Sequence, residues 1–147
     1  MSEYRMHQSQ IRPFLDISRC DIVLLMREKH APRDPQELLP LAPAFFHILI
    51  ALAAAEMHGY AIMQDVMERT RGTLRLSPGT LYGSLKRMLG EGLIEESEER
   101  PDPGLDDERR RYYRLTNFGR AVASAESARL SALLSQARAR KLSPKRA

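Results

Sequence analysis

The stretch from Ser77 to Thr116 most constrains the fold of this chain, because its order of punctuation, periodicity and charge admits few arrangements. Ser77 can accept a hydrogen bond from an orphan backbone N–H of the turn that follows, worth about 1 kcal/mol. Pro78 sits where a helix needs no donor. At about 100° per residue, Leu81, Leu85, Met88 and Leu89 then share one face, with Tyr82 at its edge. The opposite face carries Gly79, Thr80, Gly83, Lys86, Arg87 and Gly90, and Gly92 stops the helix. Leu93 to Glu99 reads as a strand, Arg100 to Asp107 as a loop, and Arg109 to Leu115 as a second strand. In that strand Arg111, Tyr113 and Leu115 fall on one face, and Arg110, Tyr112 and Arg114 on the other.

Upstream, Pro32, Pro35, Pro40 and Pro43 mark residues 31 to 42 as a linker. A first helix is expected from Pro43 to Glu56, apolar around most of its circumference through Phe45, Phe46, Ile48, Leu49, Ile50 and Leu52, and therefore a core helix. His47 within it reads as a packed or partly exposed helix residue, since no Cys, Asp or Glu stands at ligand spacing. Met57, His58 and Gly59 form a turn. A second helix runs from Tyr60 to Arg71, with Ile62, Met63, Val66 and Met67 on one face and Gly72 past its end. After Thr116, a cap, a last helix spans about 117 to 140, with Phe118, Val122, Ala125, Leu130, Leu133, Leu134 and Ala137 on its apolar side. A lone helix cannot leave such a stripe in water, so Phe118, Val122, Ala125, Leu130, Leu133 and Leu134 are expected between two subunits.

The expected fold class is therefore mainly α with a small β-hairpin: a winged helix-turn-helix plus a C-terminal dimerisation helix. The domains are an N-terminal arm over 1–40, partly helical or disordered, a winged helix-turn-helix over 41–116, and the dimerisation helix with a basic tail over 117–147.

Charge sharpens this reading. The chain has 147 residues, 23 Lys and Arg against 19 Asp and Glu, and a net charge of +4. Residues 1–40 hold six basic and six acidic residues, so the remaining 17 basic and 13 acidic residues carry all the excess. A pI near 9.5 with clustered arginines favours a polyanionic partner. Three glycines on one outer helix face cost stability, up to ~1 kcal/mol each relative to Ala, but let a backbone approach a groove wall closely. Thr80, Ser84, Lys86 and Arg87 can then make the contacts: Thr80 and Ser84 can bond phosphates or base edges, Lys86 and Arg87 can neutralise phosphate, and Arg87 can read guanine bidentately. Arg109, Arg110 and Arg111 add guanidinium groups beside that helix. Glu95, Glu96, Glu98, Glu99, Asp102, Asp106, Asp107 and Glu108 oppose phosphate, so the hairpin tip either points away from a duplex or pairs internally with the arginines.

Taken in order, Leu52 to Ile62 around His58-Gly59-Tyr60, then Ser77 to Tyr82 with Leu85 and Arg87, then Gly92, Leu93 and Ile94, then Arg110 to Thr116 with Gly119 and Arg120, resemble the PadR family of bacterial transcription regulators. The resemblance covers about half the chain, from Ala44 to Arg120. It implies a repressor that forms a homodimer through its C-terminal helix, binds a pseudo-palindromic operator in double-stranded DNA, and in some members is released by a small-molecule effector or another signal. On that likeness the DNA contacts fall on Thr80, Tyr82, Gly83, Ser84, Lys86 and Arg87 of the third helix, with Ser77 at its start, and on Arg109, Arg110 and Arg111 of the wing. The single C-terminal helix corresponds to the short form of the family.

The competing reading is a winged-helix protein-interaction module without sequence-specific DNA binding. Catalysis is not expected: no nucleophile elbow, zinc signature, phosphate-binding glycine loop or dinucleotide fingerprint is present, and no cofactor or metal is implied. One cysteine, Cys20, cannot close an intramolecular disulfide and suits a reducing cytoplasm, and it reads as an inert thiol rather than a redox sensor. No run reaches ~18 apolar residues, so no membrane span is expected, and the first residues lack a signal-peptide pattern.

Overall fold

The computed structural model describes residues 33–98 and 111–142. The expected arm up to Pro32, the loop between Glu99 and Arg110 and the end of the basic tail lie outside those residues. From Asp34 onward the described residues form one compact unit. It begins with a 3-10 turn, Pro35–Leu38, inside the segment expected to be a plain linker; Asp34 caps it by accepting the N–H of Gln36. The prolines that break a helix there do not prevent a single tight turn.

Helix α1, Pro43–Ala54, starts on Pro43 as its sequence suggests. Its Phe45, Ile48, Leu49, Ala51 and Leu52 are buried, while Ile50 stays 36% exposed. Two residues, Met57–His58, follow as strand β1, and α2 spans Gly59–Arg69. The expected turn at 57–59 is thus a strand: it pairs antiparallel with the second strand of the wing, Met57 opposite Tyr113 and His58 opposite Tyr112. Ile62 and Val66 of α2 are fully buried, Met63 is half-buried and Met67 exposed, so the methionine stripe only borders the core. Helix α3, Pro78–Gly90, buries Leu81, Leu85 and Met88. Strands β2, Ile94–Ser97, and β3, Tyr112–Leu115, run antiparallel with Ile94 opposite Leu115 and Ser97 opposite Tyr112. Among the described residues the sheet order is β1-β3-β2, three strands where two were expected. Helix α4, Asn117–Ala139, closes the unit.

One hydrophobic cluster joins these pieces: Ile48, Leu49, Ile62, Leu81, Leu85, Met88, Leu93 and Val122 come from every helix and the start of the wing. At about 25 cal/mol per Å² of apolar surface removed from water, this shared burial is what fixes α3 against α1 and α2. The α2–α3 connection is set by Thr70, whose hydroxyl donates to the Val66 carbonyl at 2.8 Å and accepts the N–H of Leu74 at 3.1 Å. Gly72 takes a φ of +75°, which a glycine adopts at little cost.

Candidate nucleic-acid interface

Helix α3 is anchored at its first turn. Ser77 accepts the Thr80 N–H at 3.1 Å, and the two hydroxyls lie 2.9 Å apart. With Leu81, Leu85 and Met88 turned inward, the outward face is centred on Gly79, Gly83, Lys86 and Gly90, all exposed or half-exposed. A Cβ placed on Gly79, Gly83 or Gly90 would meet nothing within 4 Å. Neither packing nor a positive φ therefore requires glycine at these three positions. They leave a smooth, open backbone track with one ammonium group beside it.

The rails of that track are held differently. On one side Arg87 lays its guanidinium over the Phe45 ring of α1, 5.1 Å from the centroid, a cation–π contact that limits where its donors point. On the other, Tyr82 is 54% exposed, and its ring leans over Gly59 at the start of α2. Ser84 corrects the expectation. It is buried among Leu81, Leu85 and Met88, and its hydroxyl donates to the Thr80 carbonyl at 2.7 Å, so it does not belong to the outward face.

In the wing, Arg111 is exposed and donates to Glu96 at 3.1 Å, while Arg114 donates to Glu95, directly opposite it across the ladder, at 2.7 Å. The described part of the wing pairs its arginines internally, one of the two arrangements expected from its acidic content. Arg109 and Arg110 lie outside the described residues. Tyr113, between these pairs, points into the core; burial, then the charge of Glu96, raises its pKa, with Arg111 pulling the other way and Tyr82 adding a smaller upward push.

Two features escape a reading of the sequence alone. His58 caps α2, its Nδ1 accepting the Ala61 N–H at 3.2 Å, and its ring stands edge-on to Tyr112 at 5.4 Å and 86°. The His-Gly-Tyr triplet is visible, but a histidine cap leaves no periodic signal. Arg69 also bridges two helices, donating to Asp65 at 2.7 Å and to the His47 carbonyl at 2.9 Å. His47 itself keeps a buried Nδ1 without a partner among the described residues, and desolvation, then the Arg69 charge, lowers its pKa.

The residues expected between subunits divide. Val122 is fully buried in this chain's own core, and Phe118 packs partly against it, so Val122 is withdrawn from any interface. Ala125 is exposed. Leu130, Leu133 and Leu134 are 40%, 47% and 44% exposed on the distal half of α4. Between α1 and α4 runs an apolar groove of about 430 Å³, lined by Phe46, Ile50, Ala53 and Leu115, with Arg120 and Ser127 at its rim. No helix among the described residues is long and apolar enough to cross a membrane.

Comparison with known proteins supports the same reading. The family described as the transcriptional regulator PadR-like family matches residues 48–125. Over 87 residues the chain is 39% identical to transcriptional regulator Rv3488 of Mycobacterium tuberculosis, covering 59% of this chain and 75% of that protein. Its fold superposes on a PadR family transcription regulator from hypervirulent Clostridium difficile with a TM-score of 0.56 at 26% identity, over 66% of this chain and 96% of that one. A transcriptional regulator from Clostridium thermocellum shares the fold, with a TM-score of 0.54 at 22% identity over 69% of this chain and 90% of the other. With α3, the wing and the long final helix in the order this family uses, the chain belongs to the PadR-like family of transcriptional regulators.

Proposed function

We propose that this regulator represses transcription as a homodimer that places its two α3 helices in successive major grooves of a pseudo-palindromic operator. The observation that carries the reading is the outward face of α3, where Gly79, Gly83 and Gly90 leave open space around Lys86. Helix-destabilising glycines concentrated on the one exposed face are costly unless something must come close to the backbone, and a duplex groove is such a thing. Lys86 and Arg87 supply phosphate contacts, Thr80 and Tyr82 flank them, and Ser77 sits where the helix N-terminus favours an anion. The wing arginines reach phosphate by exchanging their glutamate partners for it. A small-molecule effector, where one exists, would act from the α1–α4 groove. Repression follows from occupying DNA that polymerase needs.

The test is the salt dependence of binding. Replacing Lys86 and Arg87 by Ala should weaken binding to duplex DNA and flatten the log–log slope by about 0.9 for each phosphate that is no longer neutralised. A slope equal to that of the unaltered protein sinks the assignment of this face. The protein-interaction alternative draws support from the exposed Tyr60 and Met67 on α2. It requires that even nonspecific duplex at low salt is ignored.

A further inference from the structure

We propose that Gly59 is a positioning residue for DNA recognition: it is glycine so that the Tyr82 ring of α3 can lie across the first turn of α2, and it acts on DNA only through that ring. This rests on the reading of α3 as the DNA-facing helix.

Gly59 is buried, and its backbone lies outside the positive-φ region occupied by Gly72 and Gly92. Conformational freedom therefore does not explain it, and within a helix Ala is intrinsically the better residue. Space explains it. A Cβ on Gly59 would stand 3.0 Å from the Tyr82 hydroxyl oxygen, 3.2 Å from Tyr82 Cε1 and 3.2 Å from Leu81 Cδ2. The contrast with α3 is direct: Gly79, Gly83 and Gly90 open onto emptiness, whereas Gly59 opens chiefly onto one ring.

The floor under that ring is also tied to the wing. His58, the preceding residue, caps α2 through Nδ1, stands edge-on to Tyr112, and pairs with it in the sheet. Tyr82 is thus a flank of the outward face whose position depends on α2 and β3 together. An exposed tyrosine with nothing beneath it samples several rotamers, and ordering it on contact with DNA costs entropy. Seated on Gly59, one side of the ring is fixed while the rest of it stays open to solvent. A phenol so presented suits a base edge through its hydroxyl and a thymine methyl through its ring edge.

The experiment is a double-mutant cycle on DNA affinity, with thermal stability measured alongside. The probe is a duplex selected from random sequence by the unaltered protein, and a scrambled duplex is the control. Gly59→Ala should weaken binding to the selected duplex by about tenfold, the size expected for a displaced contact between coupled neighbours. Binding to the scrambled duplex, carried by charge, should change by less than about twofold. In a Tyr82→Ala background the same Gly59→Ala change should have almost no further effect on the selected duplex. Effects that multiply, or a Gly59→Ala protein that binds as the unaltered one does, overturn the seat while leaving α3 as the DNA-facing helix. Should Gly59→Ala alone fail to fold, the double variant decides: it must fold and bind like Tyr82→Ala. If it too fails to fold, the conflict lies with Leu81 and the proposal falls. An unaltered protein with no preference for any duplex removes the reading of α3, and the seat with it.

Discussion

Thr116 shows how much one hydroxyl can organise. It accepts the Gly119 N–H at 2.9 Å, capping α4, and donates toward the carbonyls of Gly92 at 2.7 Å and Leu93 at 3.0 Å. The start of the wing is bolted to the start of α4 through this group. Gly119 completes the joint, since a Cβ there would overlap the Leu93 carbonyl, with the carbonyl carbon 2.8 Å away. That obstacle is backbone and cannot rotate aside. Gly119→Ala should therefore destabilise the protein by about 3 kcal/mol, at the upper end for overpacking, and a melting temperature within a degree or two of the unaltered protein's would contradict the joint. The caps at Ser77 and Thr116 are legible in the sequence because Ser or Thr before a helical period has one common use. Ser84 is the opposite case: its hydroxyl chemistry on α3 and the family likeness both point to DNA, yet the helical period places it with Leu81, Leu85 and Met88, and it is buried there. The simpler geometric rule is the better guide there.

Among the elements, α4 combines two environments that periodicity cannot separate. Its apolar positions recur from Phe118 to Ala137, yet Val122 serves this chain's own core while Leu130, Leu133 and Leu134 face outward. Glu126 marks the change. It is 2% exposed, and Arg129 grips both its oxygens at 2.7 Å. The Arg129 hydrogen bond, against the upward push of burial and aided by the Arg129 charge and a backbone hydrogen bond from Leu41, lowers the Glu126 pKa below the ordinary glutamate value. A carboxylate with a lowered folded-state pKa contributes stability that is present above its unfolded pKa, about 4.3, and is lost as pH falls through the folded value. Melting temperatures should drop as pH goes below about 4.5. Glu126→Gln should make that acid-side decline shallower by up to about 1.4 kcal/mol per pH unit, the effect of one proton. Parallel declines in the two proteins would show that Glu126 is not the linked group. Nothing in the sequence hints at this pair, because a glutamate and an arginine three residues apart on a helix are ordinarily solvated. Strand β1 is equally hidden: two residues are too short for any alternation to register, and only the pairing with Tyr112 and Tyr113 reveals it.

At the scale of the whole molecule, the helices, their order and the charged face of α3 can all be read from the sequence. What holds one copy against another can only be narrowed. The described chain leaves Leu130, Leu133 and Leu134 in water on the outer half of α4, beyond the buried Glu126. A helix of 23 residues is roughly 34 Å long at ~1.5 Å per residue, close to the ~34 Å between operator half-sites one helical turn apart. Proposed pairing of these outer halves would cover the leucines and set the separation of the two α3 helices together. Leu130→Asp with Leu133→Asp tests both consequences. Each leucine side chain removed from water contributes about 1.5 kcal/mol or more, so losing two should raise the dimer dissociation constant by more than about a hundredfold. Both positions are already exposed in the single chain, so its melting temperature at a concentration where the unaltered protein is monomeric should barely change. Light scattering should report a monomer, and affinity for a two-half-site duplex should fall to that for one half-site. A variant that remains dimeric places the interface elsewhere, and one that is monomeric yet binds both half-sites as tightly as before shows that pairing through α4 does not set the spacing.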